Sequence, residues 1–146
     1  MALVTDSIAR LKTMVPDLGN RVEGAANFGA LMKAGGVPQA ALVAHVLPTG
    51  VAGGKAFPLT GMFRQSVSRL ITVMLSVNTG HAQGGHWADR IEALIDDILA
   101  AMLGWQPTGS AGVFMLKRSQ LIDATGGVFR HEITFSCDFE VRITTP

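Results

Sequence analysis

Residues Arg130 to Thr144 alternate without a break. His131, Ile133, Phe135, Cys137, Phe139, Val141 and Ile143 fall on one parity, and Arg130, Glu132, Thr134, Ser136, Asp138, Glu140, Arg142 and Thr144 on the other. A period of two is the mark of a strand with one face on a core and one face in water. At about 3.3 Å per residue it would run on the order of 45 Å, far beyond the five or six residues usual for a strand. A small domain has no core that wide, so a strand of this length is expected to run past its own sheet and serve a neighbouring subunit.

The rest of the chain divides in the same way. Thr5 or Asp6 caps a first helix with Ile8, Leu11 and Val15 as its apolar stripe and Pro16 as its stop. Ala25, Ala26, Phe28, Leu31 and Met32 predict a short second helix, ended by Gly35-Gly36 and Pro38. Ala40 to Leu47 is apolar on both parities except for His45, as in a short strand buried on both faces. Pro48 to Met62, with Gly50, Gly53, Gly54, Pro58 and Gly61, carries no pattern and reads as a long loop, the extended tip of a hairpin. Phe63 to Val77 resumes as a strand, with Val67, Ile71, Val73, Leu75 and Val77 inward. After a turn over Gly80 to Gly85 comes the clearest helix, His86 to Leu103. Trp87, Ile91, Leu94, Ile95, Ile98, Leu99 and Met102 form its stripe, and Asp89, Arg90, Glu92, Asp96 and Asp97 its wet face. Ala111 to Ile122 gives a third strand, Asp123 to Gly127 a turn, and the long strand closes the chain. The expected fold is α+β in αββαββ order, with a short extra helix after the first. It is a mainly antiparallel four-stranded sheet with helices packed on one face.

Composition sharpens this picture. The chain has 146 residues, enough for one domain with a real core, and charged residues make up only 16% against roughly 25% in average soluble domains. With a mean hydropathy of +0.34, little charge remains to cover a monomer. The longest apolar run, Ile98 to Trp105, falls well short of the roughly 20 residues of a membrane-spanning helix. The N-terminus also lacks the basic start and cleavage site of a secretory signal. Surface hidden in a stable oligomer accounts for the composition, since obligate interfaces resemble a core cut in half. A net charge of +1 gives no bulk attraction to nucleic acid or anionic lipid. Cys137, the single cysteine, has inward parity and suits a small buried hydrophobe in a reducing compartment.

Catalytic and metal chemistry find little support. Gly50-Val-Ala-Gly-Gly-Lys55-Ala56 places three residues, not four, before its Gly-Lys pair and has Ala where a P-loop needs Ser or Thr. His81, His86 and Asp89 are close in sequence, but no further histidine or cysteine completes a zinc set. His131 and Cys137 share a strand face about 20 Å apart and cannot act as a pair. Glu92 and Asp96, one helical turn apart, sit among other carboxylates on a solvated face. No serine lies in a Gly-x-Ser-x-Gly elbow. Trp87 and Trp105 bracket the helix as core residues.

Several short runs, taken in order, resemble one family. Arg21-Val22-Glu23-Gly24-Ala25-Ala26, Pro38-Gln39 and Val46-Leu47-Pro48, then Arg64-Gln65 entering a strand, Leu103-Gly104-Trp105-Gln106-Pro107 after the helix and a closing aromatic-rich strand are similar to small tail-terminator proteins of long-tailed bacteriophages and prophages. The likeness runs from about Arg21 to the end, and the glycine-rich tip at Gly53-Gly54 departs where the family itself varies. The resemblance implies a virion protein without cofactors or catalytic residues. It implies a homohexameric ring on the head-proximal end of the tail tube, formed in the host cytoplasm during assembly. That ring stops tube growth and offers a surface to the head-completion proteins at the head–tail junction. Expected partners are therefore further copies of the chain, the tail tube protein and a head-completion or connector protein. Membranes and specific nucleic-acid recognition are not expected, although DNA passes through such a ring. Rival readings are another head–tail connector, a tail tube protein, or a small-molecule binding domain built on inward His45, Arg69 and His131. The candidate interface residues are Val51, Lys55, Phe57, Leu59, Met62 and Arg64 around the tip, and outward Glu132, Asp138, Glu140 and Arg142 on the last strand. For each of the last four, a simply solvated strand face is the competing reading.

Overall fold

The structure, a computed structural model, describes residues 3–78, 86–124 and 127–144. In chain order the elements are α1 (Leu3–Met14), β1 (Val22–Glu23), α2 (Ala25–Lys33), β2 (Leu42–Leu59), β3 (Met62–Asn78), α3 (His86–Met102), β4 (Met115–Asp123) and β5 (Val128–Thr144). They build a five-stranded sheet in the order β1-β2-β3-β5-β4. All neighbouring pairs are antiparallel except β1 with β2. The expected four-stranded antiparallel sheet thus gains a parallel edge strand. β1 is two residues long, too short to show any period. It forms because the Ala44 N–H donates to the Arg21 carbonyl at 2.9 Å and Val22 lies opposite Ala44.

One face of the sheet carries the core. Leu11 and Val15 from the first helical segment and Leu94, Ile98 and Met102 from α3 pack on Ala44, Val46, Ile71, Val73, Leu75, Ile133, Phe135 and Cys137. Each of the Val, Leu, Ile, Phe and Met side chains among them contributes about 1.5–3 kcal/mol by leaving water. Phe114 meets Phe135 edge-on with ring centroids 6.2 Å apart and stacks with Trp105 at 5.4 Å. Arg10 closes this end, its guanidinium 4.8 Å from the Trp105 ring and its Nε donating to the Ala101 carbonyl. Thr5 and Asp6 lie inside α1, which already runs from Leu3, so neither caps it.

The helices do not all share that face. His45 neighbours Ala44 along β2 and so points the other way, where its ring lies 5.2 Å from Phe28 of α2. Arg130, on the same side, donates to the Gly36 carbonyl just after α2. α2 therefore covers the second face, loosely, with no buried residue of its own. Several residues read as wet are also covered on this face. Arg130, Thr134 and Ser136 are buried, and Thr49, Thr72 and Thr134 join their hydroxyls across three strands at 3.1 and 3.0 Å.

The largest correction concerns Pro48 to Met62. It is not a loop but a continuation of β2, joined to β3 by a tight turn at Thr60-Gly61, where Gly61 holds φ +84. Two register shifts, between Pro48 and Gly50 and between Gly53 and Ala56, absorb the irregular residues as bulges. Proline is tolerated because β1 pairs only with Ala44 and His45, which leaves the rest of β2 an edge strand that needs no inward N–H at those positions. β5 runs beside this hairpin to its end, with Thr144 opposite Met62. The overlong strand does not outrun its sheet; the sheet extends with it as a three-stranded ribbon.

The expected strand Ala111 to Ile122 shifts to Met115–Asp123. Its first residues instead form a turn, in which the Ala111 and Gly112 N–H groups both donate to the Asp138 carbonyl and the Phe114 N–H to the Trp105 carbonyl. No helix among the described residues is long and apolar enough to cross a membrane.

Candidate assembly interface

The ribbon presents two faces because its residues alternate. Phe57, Arg64 and Arg142 stand directly opposite one another on three adjacent strands and share a face. The Lys55 ammonium lies 5.2 Å and the Arg64 guanidinium 5.0 Å from the Phe57 ring centroid. Such cation–π contacts give about 0.5–1 kcal/mol at exposed sites. They hold two positive charges against a half-exposed ring. Arg142 reaches Glu140 at 3.0 Å. A cleft lined by Lys55, Phe57, Arg64, Ser66, Phe139 and Glu140 runs between these groups. The bulge that brings Lys55 over Phe57 needs Gly54, where an added Cβ would stand 3.0 Å from the Ser66 carbonyl oxygen. Gln65 pins it, donating to the Gly54 carbonyl.

Apolar side chains complete the surface. Leu59, Met62 and Ile143 are exposed at the tip, and Val51, 64% exposed, lies nearer the root on the opposite face. Arg69, opposite Val51, rests 5.4 Å from the Phe139 ring. Lys55, Phe57, Leu59, Met62, Arg64, Glu140 and Arg142 therefore come together on one end of the molecule, joining tip and last-strand residues that the sequence reading had kept apart.

The remaining charged candidates do not join them. Asp138 is half-buried and accepts a 2.6 Å hydrogen bond from Ser68. Glu132 lies opposite Met74, ten residues up β5 from Arg142, which is about 33 Å at strand rise. It is largely covered, accepting from Gln120 at 2.6 Å and pairing with Arg118 at 3.4 Å. It belongs to the β4 end of the sheet. There the sequence reading missed a second surface, with Met115, Leu116, Leu121 and Ile122 all exposed on the outermost strand. The signal was available: Met115 to Asp123 shows no alternation, because a strand with no buried face has nothing to alternate for.

Titratable groups elsewhere are structural. His45 is buried and its pKa is lowered, chiefly by loss of water and slightly by Arg130, against the opposing pull of Glu23 at 3.5 Å. Burial also lowers the pKa of His131, whose Nε2 sits 2.6 Å from the Ser119 hydroxyl. Burial raises the Cys137 thiol, which donates to the Gly112 carbonyl. His81 lies outside the described residues, and among the described residues no three metal-ligating side chains cluster.

Compared with known families, residues 2–146 match the one described as phage tail terminator protein. The chain belongs to this family. It is thus a phage tail structural protein, and the ribbon is a feature of a tail terminator family member. Among solved structures, the chain is similar to one in the virion of a native gene transfer agent particle. The TM-score is 0.62 at 16% identity, covering 94% of this chain and 92% of that one. At that identity the likeness shows a shared fold. No curated protein matches the chain.

Proposed function

We propose that copies of this chain close into a hexameric ring on the head-proximal end of the tail tube. The ring ends tube polymerisation and provides the surface to which the head-completion protein binds. The observation that carries the reading is membership of the tail terminator family along nearly the whole chain. It favours this reading over a tube protein or another connector. The ribbon supports it, since Phe57, Leu59, Met62 and Ile143 are exposed on an arm standing clear of the core, as a docking element would. On this reading the protein acts at the head–tail junction of the virion after assembly in the host cytoplasm. It recognises protein surfaces and performs no catalysis, and DNA passes through the ring unread.

Replacing Gly54 to Ser66 with a two-residue Asn-Gly turn tests it. The Gly53–Val67 pair then closes a short hairpin of the kind that turn favours, and the core residue Val67 is kept. Circular dichroism should show the fold retained. Particles carrying the variant should show tails of uncontrolled length or tails that fail to join heads. Normal-length tails joined to heads would refute a role for the ribbon in capping.

A further inference from the structure

We infer that the ribbon of one copy docks on the outer face of α3 of the next copy, and that this contact is what closes the ring. The inference rests on the ring reading above and names the two surfaces that reading leaves open.

Three observations lead to it. From root to tip the ribbon carries Lys55, Arg64, Arg69 and Arg142 against two acids, Glu140 and the half-buried Asp138, whose carboxylate is taken up by Ser68. Among the described residues only Arg142 has a carboxylate partner there. The guanidinium Nε atoms of Arg64 and Arg69 are shielded from water and make no hydrogen bond. The outer face of α3 is the reverse. Asp89, Glu92, Asp96 and Asp97 are exposed with only Arg90 among them. No cation among the described residues lies within ion-pair distance of any of the four. Like charges one turn apart weaken a helix, and no ion pair among the described residues compensates these. Each patch thus carries the charge the other lacks.

Shape agrees with charge. Ala93 and Ala100 of α3 are small and exposed, and they lie on one stripe with Asp89 and Asp96. A strand can therefore approach the helix backbone closely at the alanines, with Asp89 and Asp96 alternating with them and Glu92 and Asp97 on either side. α3 is 17 residues long, about 26 Å at helical rise. The stretch of β2 from Gly50 to Leu59, ten residues, spans about 33 Å before its bulge shortens it. Leu94, Ile98 and Met102 pack α3 on its own sheet, so its carboxylate face turns outward, where a ribbon of another copy can reach it. Two different patches on one chain make a heterologous contact, which propagates head to tail and closes when the rotation allows.

Two charge-reversed variants test the contact. One carries Lys55→Glu, Arg64→Glu and Arg142→Glu; the other carries Glu92→Lys, Asp96→Lys and Asp97→Lys. All six positions are solvent-facing or half-exposed, and circular dichroism checks that each variant folds. Light scattering at low salt should give a ring for the unmodified chain. Each variant alone should fall to the mass of one chain, 15.4 kDa. Mixed in equal amounts, the two should recover the ring mass, because every ribbon then meets an α3 of opposite charge around an alternating ring. No folding defect can produce recovery on mixing. Either variant assembling alone, or a mixture that stays at the one-chain mass, would overturn the inference. An unmodified chain that never assembles alone yet still caps tails would remove this contact and leave the proposed function standing. A ring built through this contact but absent from tails would do the opposite.

Discussion

Truncating Phe135 to Ala probes the junction on which the whole sheet depends. The side chain has no solvent exposure and sits on β5 between Ile71 of β3 and Leu116 of β4, with Phe114 edge-on above it. Its removal exposes no surface that water could reach, so the site must collapse or remain empty. Phe-to-Ala changes in such places cost about 3–5 kcal/mol, and the lost aromatic contact, about 0.5–1.5 kcal/mol by itself, places this one in the upper part of that range. Against a total stability of about 5–15 kcal/mol, that is a third or more of the whole. With a urea dependence of about 2 kcal/mol per molar, the unfolding midpoint should move down by about 2 M. Far-UV circular dichroism gives the transition, and Trp105, stacked on Phe114, reports on the same core by fluorescence. Assembly adds concentration-dependent stability, so the comparison must be made at two protein concentrations. A loss below about 1 kcal/mol at both would mean that the two faces of β5 have been assigned the wrong way round.

Two further outcomes follow from the buried titratable groups. His45 is held neutral by burial, while the unfolded chain takes up its proton near pH 6.5. The folded state therefore binds fewer protons, and its stability is fully present above that pH and is lost as pH falls toward the lowered folded pKa. His131 adds in the same direction. Unfolding midpoints measured between pH 7.5 and 5 should fall, and His45→Gln should flatten the slope; an unchanged slope would exclude His45 as its source. The Cys137 thiol is fully buried and pushed up in pKa. A thiol reagent at pH 8 should react slowly with the native protein and completely in urea, and rapid native labelling would show that β5 opens locally.

What could be read from the sequence was governed by whether a residue had one environment or two. Ile133, Phe135, Cys137 and Phe139 face a continuous core, so their period of two survived into the fold. The same holds for Leu94 and Ile98 on α3. Pro48, Gly50, Gly53 and Pro58 read as loop because these residue types usually break a strand. Here they lie on an edge strand, where bulges accommodate them. β1 could not be seen, since its conformation is imposed by β2 and not by its own two side chains. The candidate surface was legible where it was local, as with Lys55, Phe57 and Arg64 around one bulge. Glu132 and Arg142 share a parity but differ in surroundings, because parity reveals which face a residue takes but not what lies across it. Arg118 and Gln120 cover Glu132 from a strand whose register no periodicity announced.

The pairing of Met62 with Thr144 has a practical side. Any sequence appended after the last strand leaves the molecule at the ribbon tip, beside Leu59. The opposite end offers little relief, because Leu3 and Val4 share a cleft with Pro48 and Val51 at the ribbon root. A purification handle at either terminus would crowd the arm, and a correctly folded but tagged protein could fail to assemble for that reason alone. A handle inserted in the β4–β5 connection, at the other end of the long strand, would stay clear of it.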